Sequence, residues 1–215
     1  MEIHLVDTVD LEKISMNKPK KNGLYMVSKP KYSDNELMIQ MPKMNLSLES
    51  QEENTQVFLD FLNKKEYSKK VYDFLNTLDS KIILNIFKNS EEWFGKKIPM
   101  EKLTEMYSGT LINIFSESNE TERKETSTRI KVNINKKETS LIDKKNNELE
   151  LSDYKNNSTV ECICRLKYIV FSKDKCVPVW EIVVMKLIVK VNRVPKNAFI
   201  EDNSDNDSIE EYSFF

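Results

Sequence analysis

From Tyr67 to Phe87 the apolar residues return every three or four positions: Tyr67, Val71, Phe74, Leu75, Leu78, Ile82, Ile83, Ile86 and Phe87. That spacing lays one apolar stripe along about five turns of α-helix. On both sides the period drops to two. Residues 36–46 alternate, with Leu37, Ile39 and Met41 facing one way and Glu36, Met38 and Gln40 the other; Pro42 limits this strand to an edge, a bulge or its own end. From residue 109 onward TLINIFS and STRIKVNIN read as strands, the second with Ile130, Val132 and Ile134 inward and Arg129, Lys131 and Asn133 outward. Two long strands follow, over 160–172 and 178–191, with Lys173-Asp174-Lys175 at the turn. Strands, a helical insertion and strands again define a mainly β, α+β chain, a small curled barrel beside a helical block.

The insertion spans about 51–107 and opens on a short helix marked by Val57, Phe58, Phe61 and Leu62. Ser90 is placed to cap a further short helix, and Pro99 sits at the first turn of another that carries Met100, Leu103 and Met106. Residues 1–21 read as a weakly ordered arm with a short strand at Ile3 to Val6 and a basic end at Lys18, Lys20 and Lys21. Asn22-Gly23 signals a turn, GLYMVSK a strand and KPKYSDN a polar hairpin loop. Residues 135–158 form a long polar loop with a short strand at Thr139 to Ile142. The expected organisation is one domain over 1–200 and a tail over 201–215.

The tail, EDNSDNDSIEEYSFF, holds six carboxylates and no Lys or Arg, and ends on Tyr212, Phe214 and Phe215. Its one aliphatic, Ile209, cannot offset the entropy of ordering it, so disorder is expected. It is either an ordinary frayed acidic terminus or an acidic strip that imitates a nucleic-acid backbone and plugs a partner's pocket with its rings. Without its acids the chain carries 33 basic against 29 acidic residues, about +4, which suits a polyanion binder.

With 3 glycines in the chain, no Gly-rich phosphate loop, dinucleotide fingerprint or nucleophile elbow is possible. A zinc site would have to use Cys162, Cys164, Cys176 and His4, which lack paired ligand spacing. Cys162 and Cys164 share a strand face with Val160, Leu166 and Val170, which reads as buried free thiols. We therefore expect no enzyme, no cofactor and no metal. An odd cysteine count, no secretory leader and no long apolar run point to a reducing intracellular compartment and no membrane.

Binding chemistry is better represented. The strands from 160 and from 178 can together present Arg165, Lys167, Lys186 and Lys190 with Phe171 and Trp180. Rings interleaved with cations along a sheet are what sequence-independent single-strand binding needs, because every base has a stacking face and every nucleotide a phosphate. Lys29, Lys31 and Tyr32, with Arg129 and Lys131, extend such a groove. Trp180 is equally placed to be core against the helices.

In this order of elements, in Trp93-Phe94-Gly95-Lys96 closing the insertion, in the strand pair through Val179-Trp180 and in the acidic tail ending Phe214-Phe215, the chain resembles the OB-fold single-stranded DNA-binding proteins of podophages and their relatives in nucleocytoplasmic large DNA viruses. The resemblance implies a five-stranded OB-fold-like barrel that protects unwound DNA in viral replication and recombination, at replication sites in the host cytoplasm or nucleus. It also implies a tail that competes with DNA for the groove and docks through Phe214 and Phe215 on polymerase or helicase/primase, and a homodimer. The rival expectation is a viral structural or scaffold protein whose tail docks an assembly partner; a metal-dependent nuclease is a third.

Overall fold

The computed structural model describes residues 2–48, 54–62, 66–116 and 124–189. In chain order its strands and helices are β1 (Ile14–Met16), β2 (Lys20–Asn22), β3 (Tyr25–Ser28), β4 (Pro30–Tyr32), β5 (Met38–Gln40), β6 (Met44–Leu48), β7 (Asn54–Phe61), α1 (Glu66–Phe94), α2 (Met100–Met106), β8 (Leu111–Ser116), β9 (Lys124–Asn135), β10 (Ser140–Ile142), β11 (Thr159–Phe171) and β12 (Cys176–Val189). Helices stand between early and late strands, as the change of period requires.

Five strands close on themselves in the order β6-β7-β9-β12-β11 and back to β6. Four of the contacts are antiparallel, and β9 meets β12 in parallel through Val132 opposite Trp180 and Ile134 opposite Ile182. This is an OB-like barrel. Its interior is filled by alternate residues of each strand: Met44 and Leu46, Val57 and Leu59, Ile130, Val132 and Ile134, Val160, Cys162, Cys164 and Leu166, and Trp180, Ile182, Met185 and Leu187, all buried. Outside the ring, β5 and β3 pair with the exposed edge of β11, β2 pairs with β3, and β8 prolongs β9 past the barrel rim. The β2–β3 turn is Gly23-Leu24, and Gly23 takes the positive φ of +60° that the first position of a type II′ turn demands.

The residues expected to open the helical insertion are instead β7. Val57 and Leu59 point into the barrel while Phe58 and Asp60 point out, and tight pairing with both β6 and β9 overrides the helix-like spacing of Phe58, Phe61 and Leu62. Ser90 lies inside α1 and caps nothing; its hydroxyl donates to the Phe87 carbonyl and accepts the Ile98 N–H at 3.1 Å, fastening the turn after the helix. Gly95, at φ +71°, ends α1 by returning its N–H to the Glu91 carbonyl. The N-terminal arm is also folded. His4 bridges to Ile39, Asp7 lies 3.1 Å from Lys70, and Glu12 pairs with Lys81, so residues 4–12 lie along α1.

The helix is tied to the barrel by one buried carboxylate. Asp79, on the inner face of α1, accepts hydrogen bonds from the Tyr107 hydroxyl (2.8 Å), the Thr110 N–H (2.7 Å) and the Thr110 hydroxyl (2.7 Å), and Trp180 Nε1 donates onward to Thr110 Oγ1 at 3.2 Å. Burial raises its pKa above the ordinary carboxylate value despite these donors. Asp79→Ala would leave three buried donors without an acceptor, and we expect it to cost on the order of 3 kcal/mol in urea unfolding; a loss below about 1 kcal/mol would show that the donors find other partners.

Candidate nucleic-acid interface

Facing rows of side chains cross the outer surface of β6, β7 and β9. Ser47 lies opposite Phe58, and Phe58 opposite Lys131. In the next row Asn45, Asp60, Arg129 and Ile112 follow one another across β6, β7, β9 and β8. On the other side Gln56, Asn133 and Glu181 line up across β7, β9 and β12. Arg129 does two things at once: Nε meets Asp60 Oδ1 at 2.8 Å, and the guanidinium lies over the Phe58 ring, 4.8 Å from its centroid. Phe58 is half-buried and Lys131 exposed, so the platform offers a ring and a cation to solvent.

Beside this platform the surface sinks into a hollow of about 220 Å³ between β8, β9 and β12, lined by Lys131, Asn133, Gln56, Ile112, Val177 and Val179 among others. Its lining mixes apolar side chains with two amides, two hydroxyls and an ammonium. Trp180, buried in the core, also lines it.

The structure brings together part of the expected cation strip. Arg129 and Lys131 are on the platform; Lys29 and Lys167 share a second location, over the ring of Tyr168, at 5.6 and 5.7 Å from its centroid. Other expected residues are spoken for. Trp180 and Phe171 are buried in the core, the first with its indole N–H bonded to Thr110 and the second against Phe94, ring centroids 5.4 Å apart. Tyr32 is buried beside His4, and its hydroxyl accepts the Asp10 N–H. Lys31 leans toward Asp34 at 3.9 Å. Lys186, half-buried on β12, faces Glu161 across the ladder, far from the platform. Lys190, Phe214 and Phe215 lie outside the described residues.

Two irregularities explain why parity misled. A break in the β11–β12 register between Leu166 and Tyr168 makes Lys167 an extra residue, so Ile169 and Phe171 turn inward where strict alternation puts them out. A second break opposite Val183 returns Met185 and Leu187 to the interior. Glu181 removes two more cations from the expected strip. This carboxylate, 6% exposed, pairs with Lys167 at 2.7 Å and with Arg165, which also reaches Glu138 and, at 3.2 Å, Glu36. Three carboxylates against two cations leave that patch without positive charge to spare.

Burial pushes the three free thiols up, Cys176 to about 12. Among the described residues no group of His, Cys, Asp and Glu is gathered to hold a metal ion.

A model of DUF5871, a family of unknown function, matches residues 56–202. A search of curated proteins finds no match. Among solved structures the chain is similar to gp2.5, a single-stranded DNA-binding protein encoded by bacteriophage T7, at 10% identity over 84% of this chain and 100% of that one, with a TM-score of 0.51. It is also similar to the single-stranded DNA-binding protein from bacteriophage Enc34 in complex with ssDNA (12% identity, 82% and 97% covered, TM-score 0.46) and to a C-terminal truncation of that protein (14%, 85% and 99%, 0.47). At 10% identity the likeness to gp2.5 is one of fold.

The contrast between spent and free cations is measurable. Arg165→Ala strips the buried Glu181 of its main partner and is expected to cost about 3 kcal/mol of stability, whereas Lys131→Ala, at an exposed site, should stay within about 0.5 kcal/mol. Thermal unfolding of the two variants side by side checks this; equal losses would contradict it.

Proposed function

The chain belongs to DUF5871, a family of unknown function, and we propose that it binds single-stranded DNA without regard to sequence, on the outer face of β7 and β9. The observation that carries this reading is the platform itself: Phe58 under the Arg129 guanidinium, Lys131 beside it, and a hollow lined by amides and apolar side chains adjoining them. β7 and β9 are the second and third strands of the closed barrel, the face on which OB-folds take oligonucleotides. The fold likeness to a phage protein named for single-stranded DNA binding supports the same reading.

A base laid on Phe58 gains about 1–3 kcal/mol, and Arg129 and Lys131 follow its phosphates. Asn133 and Gln56 carry both donors and acceptors, so the face discriminates weakly between bases. The body of about +4 supplies a long-range field that draws the strand in. In the wider proposal the protein covers unwound DNA during viral replication and recombination, as a monomer or homodimer. The six carboxylates of residues 201–215 compete with DNA for this face, and Phe214 and Phe215 are read by a polymerase or a helicase/primase.

Filter binding with an unstructured oligonucleotide tests the core of the proposal. Affinity should fall steeply with salt and rise on removal of residues 201–215. Phe58→Ala should weaken it about tenfold, and Lys131→Ala should lower the salt slope by about 1. No retention of DNA by the tail-less form at low salt would overturn the reading and leave the scaffold alternative.

A further inference from the structure

The outward rows do not stop at the platform. Lys131 and Val179 share the lining of the hollow, and across the β11–β12 ladder Val179 lies opposite Tyr168. Tyr168 is half-buried, faces outward after the break at Lys167, and holds the Lys29 and Lys167 ammonium groups over its ring. One line of side chains therefore crosses the barrel at right angles to its strands: Phe58, Lys131, Val179, Tyr168, Lys29. Each end has an aromatic ring already partnered by a cation, and the hollow lies between.

Charge confines this line on both sides. Toward one side sits the Arg165–Lys167 patch with its three carboxylates, Glu36, Glu138 and Glu181, which repels phosphate. Toward the other, the neighbouring outward row runs Lys20, Val27, Val170 and Val177, followed by the β11–β12 turn with Lys173 and Lys175. Lys20, Lys173 and Lys175 are exposed, and among the described residues none of them forms an ion pair.

We propose that Tyr168 is a second stacking site for the same single strand, which crosses the barrel from Phe58 over the hollow to Tyr168. This rests on the single-stranded DNA reading above and adds the path and its far anchor. Along the wall through β9 and β12, three strand spacings lie between β7 and β11, about 14 Å, against about 3.4 Å per base in a stacked strand. The two rings thus grip bases that are not neighbours, and an intervening base has the hollow to enter. Lys29 leaves the ring face for a phosphate as the base arrives, while Lys167 stays paired with Glu181. The wing built by β2 and β3 on the edge of β11 then has a function, since it brings Lys29 and Lys20 to the end of the path.

The test uses the full chain and a thymidine oligonucleotide of about twelve residues, within the span one OB-fold covers. Phe58→Ala and Tyr168→Ala should each weaken binding about tenfold, and the double variant about a hundredfold, as separate contacts add. Tyr168→Phe, which keeps the ring, should restore wild-type affinity. A bromodeoxyuridine-substituted oligonucleotide should photocross-link at both residue 58 and residue 168. If Phe58→Ala weakens binding while Tyr168→Ala leaves it unchanged and no cross-link forms at 168, the inference is overturned and the single-stranded DNA reading stands. If Tyr168→Phe is as weak as Tyr168→Ala, the hydroxyl rather than the ring is at work, and stacking is overturned. If the wild-type chain retains no oligonucleotide, the underlying reading has failed.

Discussion

The hollow beside the platform depends on β12 being paired along both edges. Its antiparallel contact with β11 runs nearly its whole length, but its parallel contact with β9 rests on the short register from Trp180 to Ile182. That short seam turns a sheet into a ring. It places Val177 and Val179 next to Lys131 and Asn133, so the hollow exists only because the ring is closed. Trp180 secures the seam from inside, packed in the core and hydrogen-bonded through Thr110 to Asp79 on α1. Helix, barrel closure and candidate site are thereby mechanically one object.

Much of the fold was legible because it follows from periodicity. The stripe from Tyr67 to Phe87 became α1, and Ile130, Val132 and Ile134 became the inward face of β9. The segment around Phe58 is ambiguous because Val57, Phe58, Phe61 and Leu62 fit a helical turn as well as a strand, and only partners distant in sequence decide between them. The signal that could have found it was the alternation of Val57 and Leu59 with Phe58 and Asp60. Tyr168 was hidden for a different reason. Strict alternation along β11 hides its outward direction, because the extra residue at Lys167 changes the parity and nothing local in the sequence announces a bulge.

Charge was legible as a total and not as a distribution. Arg165 and Lys167 looked like free cations on an outward face, and they do point outward. Glu181, Glu138 and Glu36 come from three other places in the chain to meet them. The cations left for a polyanion are those without such partners, together with Arg129, whose planar group can face Asp60 at its edge and Phe58 with its flat side.

The seam between β9 and β12 also sets an order of events during folding. Its partners, Val132 and Trp180, are far apart in the chain, and β12 follows every other strand of the ring. Contacts of that range are slow to form, because a long loop must close before any burial rewards it. Until β12 arrives, the barrel has no Trp180, Ile182, Met185 or Leu187 to fill it. Without β12 the remaining strands of the ring form an open, half-filled sheet with a free edge on β9 and another on β11. Unpaired edges and uncovered apolar surface of that kind are what aggregation exploits.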